Sequence, residues 1–196
     1  MEIPESDIQV RHLKHTTMAI SIRQATAADT IFIAKGFHAA MLAENVSDKQ
    51  IEAFSSKICS RTDTLYSWKN TFIAEEDKTP VGMVTCYDGS KYREMRAVTM
   101  DLVKTYLNTE FPGMEDETCE GEFYVDSLAV IPSMRGNGIG RLLLRYAIDK
   151  GHELGLDVTL AVDPVNTNAQ RMYESIGFRY YNTVFIFGHD YDKMKV

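Results

Sequence analysis

The feature that most limits how this chain can fold is RGNGIGRLLLRYA at positions 135–147, where three glycines at alternate positions run straight into a leucine-rich stretch. Glycine loses more backbone entropy on folding than any other residue, so a cluster of three needs a reason: unusual dihedrals, or a ligand pressed against the main chain. The preceding EFYVDSLAVIP at 122–132 reads as a strand ending at Pro132. After the loop, Ile139, Leu142, Leu143, Tyr146, Ala147 and Leu154 recur at helical spacing until Gly155. A strand, a glycine turn and a helix therefore follow one another. Such a junction aims unpaired N–H groups and the positive end of a helix dipole at one point, which suits an anion, and Arg135 and Arg141 add charge there. The spacing is neither GxGxxG nor a loop ending in GK[ST], which disfavours the two commonest nucleotide sites. Two readings stay open on the loop alone: another phosphorylated ligand, or a tight turn with close helix packing.

The rest of the chain supplies alternating strands and helices. AISIRQAT at 19–26 alternates like a half-buried strand. A helix follows, capped by Thr26 or Asp29 and carrying Ile31, Ile33, Ala34, Phe37, Met41 and Leu42. SDKQIEAFSSKICS at 47–60 opens with the Ser-x-x-Gln of a capping box and predicts a second helix. NTFIAEED at 70–77 and PVGMVTCYDG at 80–89 predict a hairpin, and 91–109 a further helix that covers either an acceptor site or a subunit contact. The acidic segment from Phe111 to Glu122 reads as a solvated loop, or else as a feature that favours a cationic substrate. DVTLAVD at 157–163 is a strand, NTNAQRMYESIGF at 166–178 a short helix, and YYNTVFIFGHD holds the last strand or strands, followed by a polar tail at His189, Asp190 and Asp192. This order predicts one α/β domain over residues 18–196 with a mixed sheet, preceded by an N-terminal extension at 1–17.

Charge and cysteine content narrow the function. The formal net charge of −7 argues against binding to a nucleic-acid backbone or an acidic membrane surface, both of which reward clustered Lys and Arg. Cys59, Cys86 and Cys119 form no CxxC pair, so a reducing cytoplasm is expected, without a disulfide framework or zinc site. Cys86 reads as a small buried apolar residue and Cys119 as more exposed. The histidines at 12, 15, 38, 152 and 189 show no ligand spacing, and no metal is expected.

The residues RGNGIG have the form RxxGxG, follow the strand YVDSLAVIP, and precede NTNAQRMYESIGF by some 25 residues. In these stretches the chain resembles the GCN5-related N-acetyltransferase (GNAT) superfamily, whose downstream NxxAxxxYExxGF form is matched by Asn166, Ala169, Tyr173, Glu174, Gly177 and Phe178. The resemblance covers roughly residues 19–190 and is most specific from 122 to 178. It implies a mixed central sheet of six to seven strands with helices on both faces and a V-shaped splay between the two central strands.

The resemblance also implies roles. Acetyl-CoA would be the co-substrate, with no metal. Main-chain N–H groups of Arg135, Gly136, Asn137, Gly138, Ile139, Gly140 and Arg141 would cradle its diphosphate. Leu128, Ala129 and Val130 would offer free main-chain groups to the pantetheine arm, Asn166 would touch the arm, and Tyr173 would meet the thioester sulfur as a proton donor. For the proton lost by the amine, strand alternation would put Glu122, Tyr124, Asp126 and Leu128 on one face, making Asp126 and Glu122 the candidate bases, Asp126 the nearer to the loop. Where the histone-modifying branch carries a glutamate this chain has Tyr124, so histone-type specificity is not implied. The expected activity is acetyl transfer by direct attack of a primary amine of a small molecule or peptide, with homodimerisation an expectation from relatives. An acyl-CoA-binding sensor with little turnover is the alternative, and a phosphate-binding α/β protein of another sort a third.

Overall fold

The computed structural model describes residues 19–38 and 47–196. The expected extension at 1–17, and Met41 and Leu42 of the first helix, lie outside them. In chain order the elements are β1 (Ile20–Gln24), α1 (Thr30–His38), α2 (Asp48–Ser60), β2 (Thr71–Glu76), β3 (Thr79–Asp88), α3 (Tyr92–Leu107), β4 (Glu122–Val130), α4 (Ile139–Glu153), β5 (Asp157–Val162), α5 (Thr167–Ile176), β6 (Arg179–Ile186) and β7 (His189–Lys195). They build one seven-stranded sheet in the order β1-β2-β3-β4-β5-β7-β6. All neighbours are antiparallel except β4 and β5, whose parallel pairing is made possible by the crossover through α4.

Local chemistry sets several boundaries. Ser47 and Gln50 form the predicted capping box of α2, each side chain answering the other's backbone N–H at 3.4 and 3.3 Å. Asp77 and Lys78 both take positive φ in the β2–β3 turn, as a two-residue hairpin with the twist of its strands requires. The expected polar tail is instead an inner strand: β7 runs between β5 and β6, and its Lys193 and Met194 are buried.

Apolar layers lie on both faces. On one, Leu143, Leu144 and Ala147 of α4 pack on Val84, Val125 and Val158, with α5 beside them. Gly151 lets α4 lie close on the sheet, because a Cβ there would stand 2.4 Å from the Val158 side chain. On the other face, Ile33 of α1, Phe54 and Ile58 of α2 and Leu102 of α3 cover Ile73 and Met83. The strand β3, buried nearly throughout, is covered from both sides.

The regularity of β4 breaks at one residue. Val125 opposes Cys86 and Ser127 opposes Thr85, so Asp126 is the extra residue of a β-bulge. Before the bulge, Phe123 and Val125 face α4; after it, Leu128 and Val130 do. The expected shared face of Glu122, Tyr124, Asp126 and Leu128 is therefore corrected, because one inserted residue reverses the alternation and Leu128 points to the α4 side. Pairing with β5 also stops at Val125, while β5 continues along β7 as far as Val162. The two central strands part from there on.

Candidate active site

The glycine loop is open and its donors are free. Gly136 and Gly138 sit at φ of 79° and 78°, in the left-handed region that a side chain disfavours, and a Cβ at either would meet nothing within 4 Å. Gly138 forms the N-cap of α4, and among the described residues the N–H groups from Gly136 to Arg141 have no protein acceptor, the next bond being Leu142 N–H to the Gly138 carbonyl at 3.0 Å; the Arg135 N–H, expected to join them, instead closes a turn on the Pro132 carbonyl at 3.4 Å. The Arg135 side chain donates to the Val130 carbonyl at 3.1 Å and Asn137 to that of Met134 at 3.2 Å, which hold the loop away from its own mouth. A hollow of about 380 Å³ lies over the N–H groups, walled by Leu128, Val130, Met134 and Met172. This cradle fits a diphosphate: concave, rich in donors and free of Cβ atoms where the main chain is approached.

A second and larger cavity, about 720 Å³, takes in the place where β4 and β5 separate; Asp126, Ser127, Ala161 and Asn166 contribute to its wall. On the β5 side, Leu128, Ala129 and Val130 have no strand partner; the Val130 carbonyl is taken by Arg135, and the other main-chain groups facing that side are available to a ligand. Asn166 caps α5 by accepting from Ala169 N–H at 3.2 Å, and its amide borders the cavity as well. The helix α3 supplies Thr99, Met100, Val103 and Leu107, so the inserted helix walls this cavity.

The two sequence-predicted carboxylates part company. Asp126 faces the cavity, taking the Tyr87 hydroxyl at 2.6 Å and that of Ser127 at 2.9 Å. Loss of water around it pushes its pKa up, against the lowering effect of these two donors. Glu122 lies outside the cavity lining and is fully engaged: Thr118 at 2.8 Å, Tyr181 at 2.8 Å, Thr159 at 3.2 Å and the buried ammonium of Lys193 at 3.2 Å. Desolvation works to raise its pKa, but the Thr118 and Tyr181 hydroxyls and the Lys193 charge outweigh it and the pKa is lowered. Glu122 ties β4 to β5, β6 and β7.

Sequence reading missed Glu117. Assigned to a solvated acidic loop, it is only 4% exposed, and Thr118 beside it is buried too. Its carboxyl accepts from Tyr124 at 2.9 Å and Tyr92 at 3.3 Å, and it faces the same cavity as Asp126. Desolvation first, then the negative charge of Asp126, drives its pKa well above the carboxylate range. A carboxyl is thus held beside Tyr124 from another segment. The reason is a docked loop: Glu115 N–H bonds the Phe185 carbonyl at 2.9 Å, and its side chain takes the Phe185 N–H at 2.7 Å.

Tyr173 sits on α5 against the α4-side core, its ring 6.0 Å from that of Phe178. It lines neither cavity described above, although its neighbour Met172 walls the glycine cradle. Burial raises the pKa of its phenol, so it stays protonated at neutral pH. Cys86 is buried, its thiol raised by desolvation, and Cys119 is exposed, as expected.

The description "Acetyltransferase (GNAT) family" belongs to the family model that matches residues 40–178. Mycothiol acetyltransferase from Thermobispora bispora is 48% identical over 59 residues, 30% of this chain and 19% of its own length. That of Kocuria rhizophila is 40% identical over 68 residues, 34% of this chain and 22% of its own. The aligned part is about a fifth of these relatives. Among solved structures, an N-acetyltransferase from Staphylococcus aureus Mu50 superposes with a TM-score of 0.73 at 20% identity over 90% of this chain and all of the other. One described only as an acetyltransferase gives 0.72 at 25% identity over 89% and 97%. The protein yncA from Salmonella typhimurium, solved with its cofactor acetyl-CoA, gives 0.54 at 19% identity over 91% and 93%.

Proposed function

We propose, from the premise that this chain belongs to the acetyltransferase (GNAT) family, that it moves an acetyl group from acetyl-CoA to a primary amine of a small molecule or peptide by direct attack. The observation that carries the reading is the glycine cradle: unpaired N–H groups at the N-terminus of α4, opening beside the point where β4 leaves β5.

Acetyl-CoA supplies the acetyl group as a thioester. The chain's own residues do the rest. The N–H groups of Gly136 to Arg141 neutralise and fix the diphosphate without side-chain hindrance. The main chain of Leu128 to Val130, left free by the splay, orients the arm, with Asn166 at its side. Asp126 takes the proton that the attacking ammonium must lose, directly or through water; its raised pKa moves it toward the working pH of a general base. Glu122 stays with Lys193 and holds the closed end of the V. Tyr173 gives its proton to the sulfur as the carbon–sulfur bond breaks and the nitrogen–carbon bond forms.

The test is release of free thiol from acetyl-CoA across a panel of amines, with Tyr173→Phe as control. Turnover on at least one amine, reduced ~10² to 10⁴-fold in the variant with acetyl-CoA affinity unchanged, is the expected result. Thermal stabilisation by acetyl-CoA without thiol release on any amine would replace the enzyme by a sensor. An unaltered kcat in Tyr173→Phe would take that residue out of the mechanism.

A further inference from the structure

The larger cavity is chemically one-sided. Beyond Asp126, Glu117 and the Asp163–His189 pair its wall carries rings, Phe37, Phe54, Tyr66, Phe111, Phe187 and Tyr191, set among aliphatic side chains and hydroxyls, and among the described residues no lysine or arginine lines it. Its acidic groups are not equivalent. Asp163 shares a hydrogen bond with His189 at 3.1 Å, whereas Asp126 and Glu117 receive only hydroxyl donors and have no ion-pair partner among the described residues. The Arg96 guanidinium acts on Glu117 through its charge alone, its hydrogen bonds going to the Met114 carbonyl at 2.9 Å and to Asp116 at 3.3 Å. Two largely buried carboxyls without a bonded counter-charge, at the wall of an aromatic cavity, lack a cation.

A separate observation concerns the wall. Phe187 adopts φ of +52°, a conformation that a bulky residue rarely holds and that Asn or Gly would take with less strain. The turn sets that conformation, since Phe187 and Gly188 are the two central residues of the β6–β7 hairpin and both take positive φ; the ring makes edge contacts with Phe111 at 5.2 Å and Tyr191 at 6.4 Å between ring centres, which together close one side of the cavity.

Building on the acetyltransferase reading, we infer that the acceptor is a primary amine carried on an uncharged, apolar body of arylalkyl type, its ammonium received between Asp126 and Glu117 and its body against the Phe111–Phe187–Phe54 wall. Acidic amines are repelled by the two carboxyls and find no cation. Polyamines would set a second ammonium against the rings, where the one further carboxyl of the wall, Asp163, is already bonded to His189 at 3.1 Å. Because the empty pair retains a proton that an arriving ammonium displaces, binding should release a proton to solvent.

The experiment is calorimetric titration of the protein saturated with CoA, which permits no turnover, using 2-phenylethylamine, 2-phenylethanol, spermidine and L-glutamate in two buffers of different ionisation enthalpy. The expected result is at least tenfold tighter binding of 2-phenylethylamine than of the other three, with net proton release. Glu117→Gln should remove the proton release, and Phe187→Gly should weaken 2-phenylethylamine about tenfold with CoA affinity unchanged. Both variants are first checked for a cooperative thermal transition, and the second relieves strain rather than opening the core. Equal binding of 2-phenylethanol, or binding by spermidine or glutamate as tight as that of the arylalkylamine, would overturn the inference while leaving the acetyltransferase reading intact. Failure of CoA itself to bind would remove that reading and this inference with it.

Discussion

Replacing Glu117 by glutamine should make the protein more stable at high pH. The side chain is 4% exposed and unpaired by any cation among the described residues, so ionising it in the folded state is costly. Burial alone displaces carboxyl pKa values by up to ~3 to 5 units, each worth about 1.4 kcal/mol. The Tyr124 and Tyr92 hydroxyls, at 2.9 and 3.3 Å, return part of this, since a hydrogen bond to a charged acceptor contributes ~1.5 kcal/mol or more. About 2 to 3 kcal/mol remains as the cost of the charged form. The direction follows from linkage. A carboxyl whose folded pKa exceeds its unfolded one binds its proton more tightly in the native state, so its contribution is complete below the unfolded pKa and is lost as pH rises through the folded pKa.

Glutamine keeps one acceptor for a tyrosine hydroxyl and adds donors for the other, without a charge to lose. Urea denaturation of parent and variant at pH 5 and pH 9 isolates this group, because other titrations are common to both proteins. A difference of no more than about 1 kcal/mol at pH 5, where the unfolded carboxyl has begun to ionise, growing to about 2 kcal/mol or more in the variant's favour at pH 9, is the expected outcome. Parallel stability–pH curves for the two proteins would refute the reasoning and return Glu117 to ordinary solvation.

Four further predictions concern the cradle, the clamp, the base and the core. Gly138→Ala puts a Cβ into open space but into a left-handed conformation; acetyl-CoA affinity, measured by calorimetry, should fall at least about tenfold, with a stability loss of only ~1 kcal/mol. Glu122→Gln leaves the Lys193 ammonium, whose side chain is 9% exposed, without its counter-charge. Denaturation should therefore report a loss of roughly 3 kcal/mol at neutral pH that shrinks as pH falls through the lowered folded pKa, with the pH profile of kcat/KM otherwise retained. Asp126→Asn should instead abolish the acidic limb of that profile. Gly151→Ala drives a methyl group to 2.4 Å from Val158 and should cost about 1 to 3 kcal/mol in a melt, without changing acetyl-CoA affinity in the folded protein.

What the sequence disclosed was what short segments determine by themselves. The cradle was legible because strand, glycine turn and helix are contiguous, and no distant residue is needed to leave the N–H groups of 136–141 unpaired. The capping box at Ser47 and the hairpin turn at Asp77 and Lys78 are local in the same way. Glu117 was hidden because its burial depends on the docking of its loop to Phe185 and on hydroxyls from α3 and β4, which composition cannot reveal. The strand at 189–195 was hidden by its polar letters: HDYDKMK is inner because Lys193 finds Glu122 and the ring of Tyr181, 5.3 Å from its ammonium.

The bulge at Asp126 is the sharpest case. EFYVDSLAV reads as an even alternation, and whether one residue is skipped is decided by the register with β3, not by β4 itself. That single extra residue has three effects at once. It turns Leu128 and Val130 to the α4 side, where they wall the cradle. It adds local twist and bend to β4, as bulges do, directly after the last pairing with β5 at Val125, which accounts for where the V begins. It leaves Asp126 facing the cavity, within reach of Tyr87 and Ser127. The proposed base and the opening that admits the arm therefore share one cause. It follows that Asp126→Asn should change chemistry without closing the V, because the skipped register resides in the backbone, whereas deleting residue 126 should restore the alternation and cost acetyl-CoA binding as well as turnover.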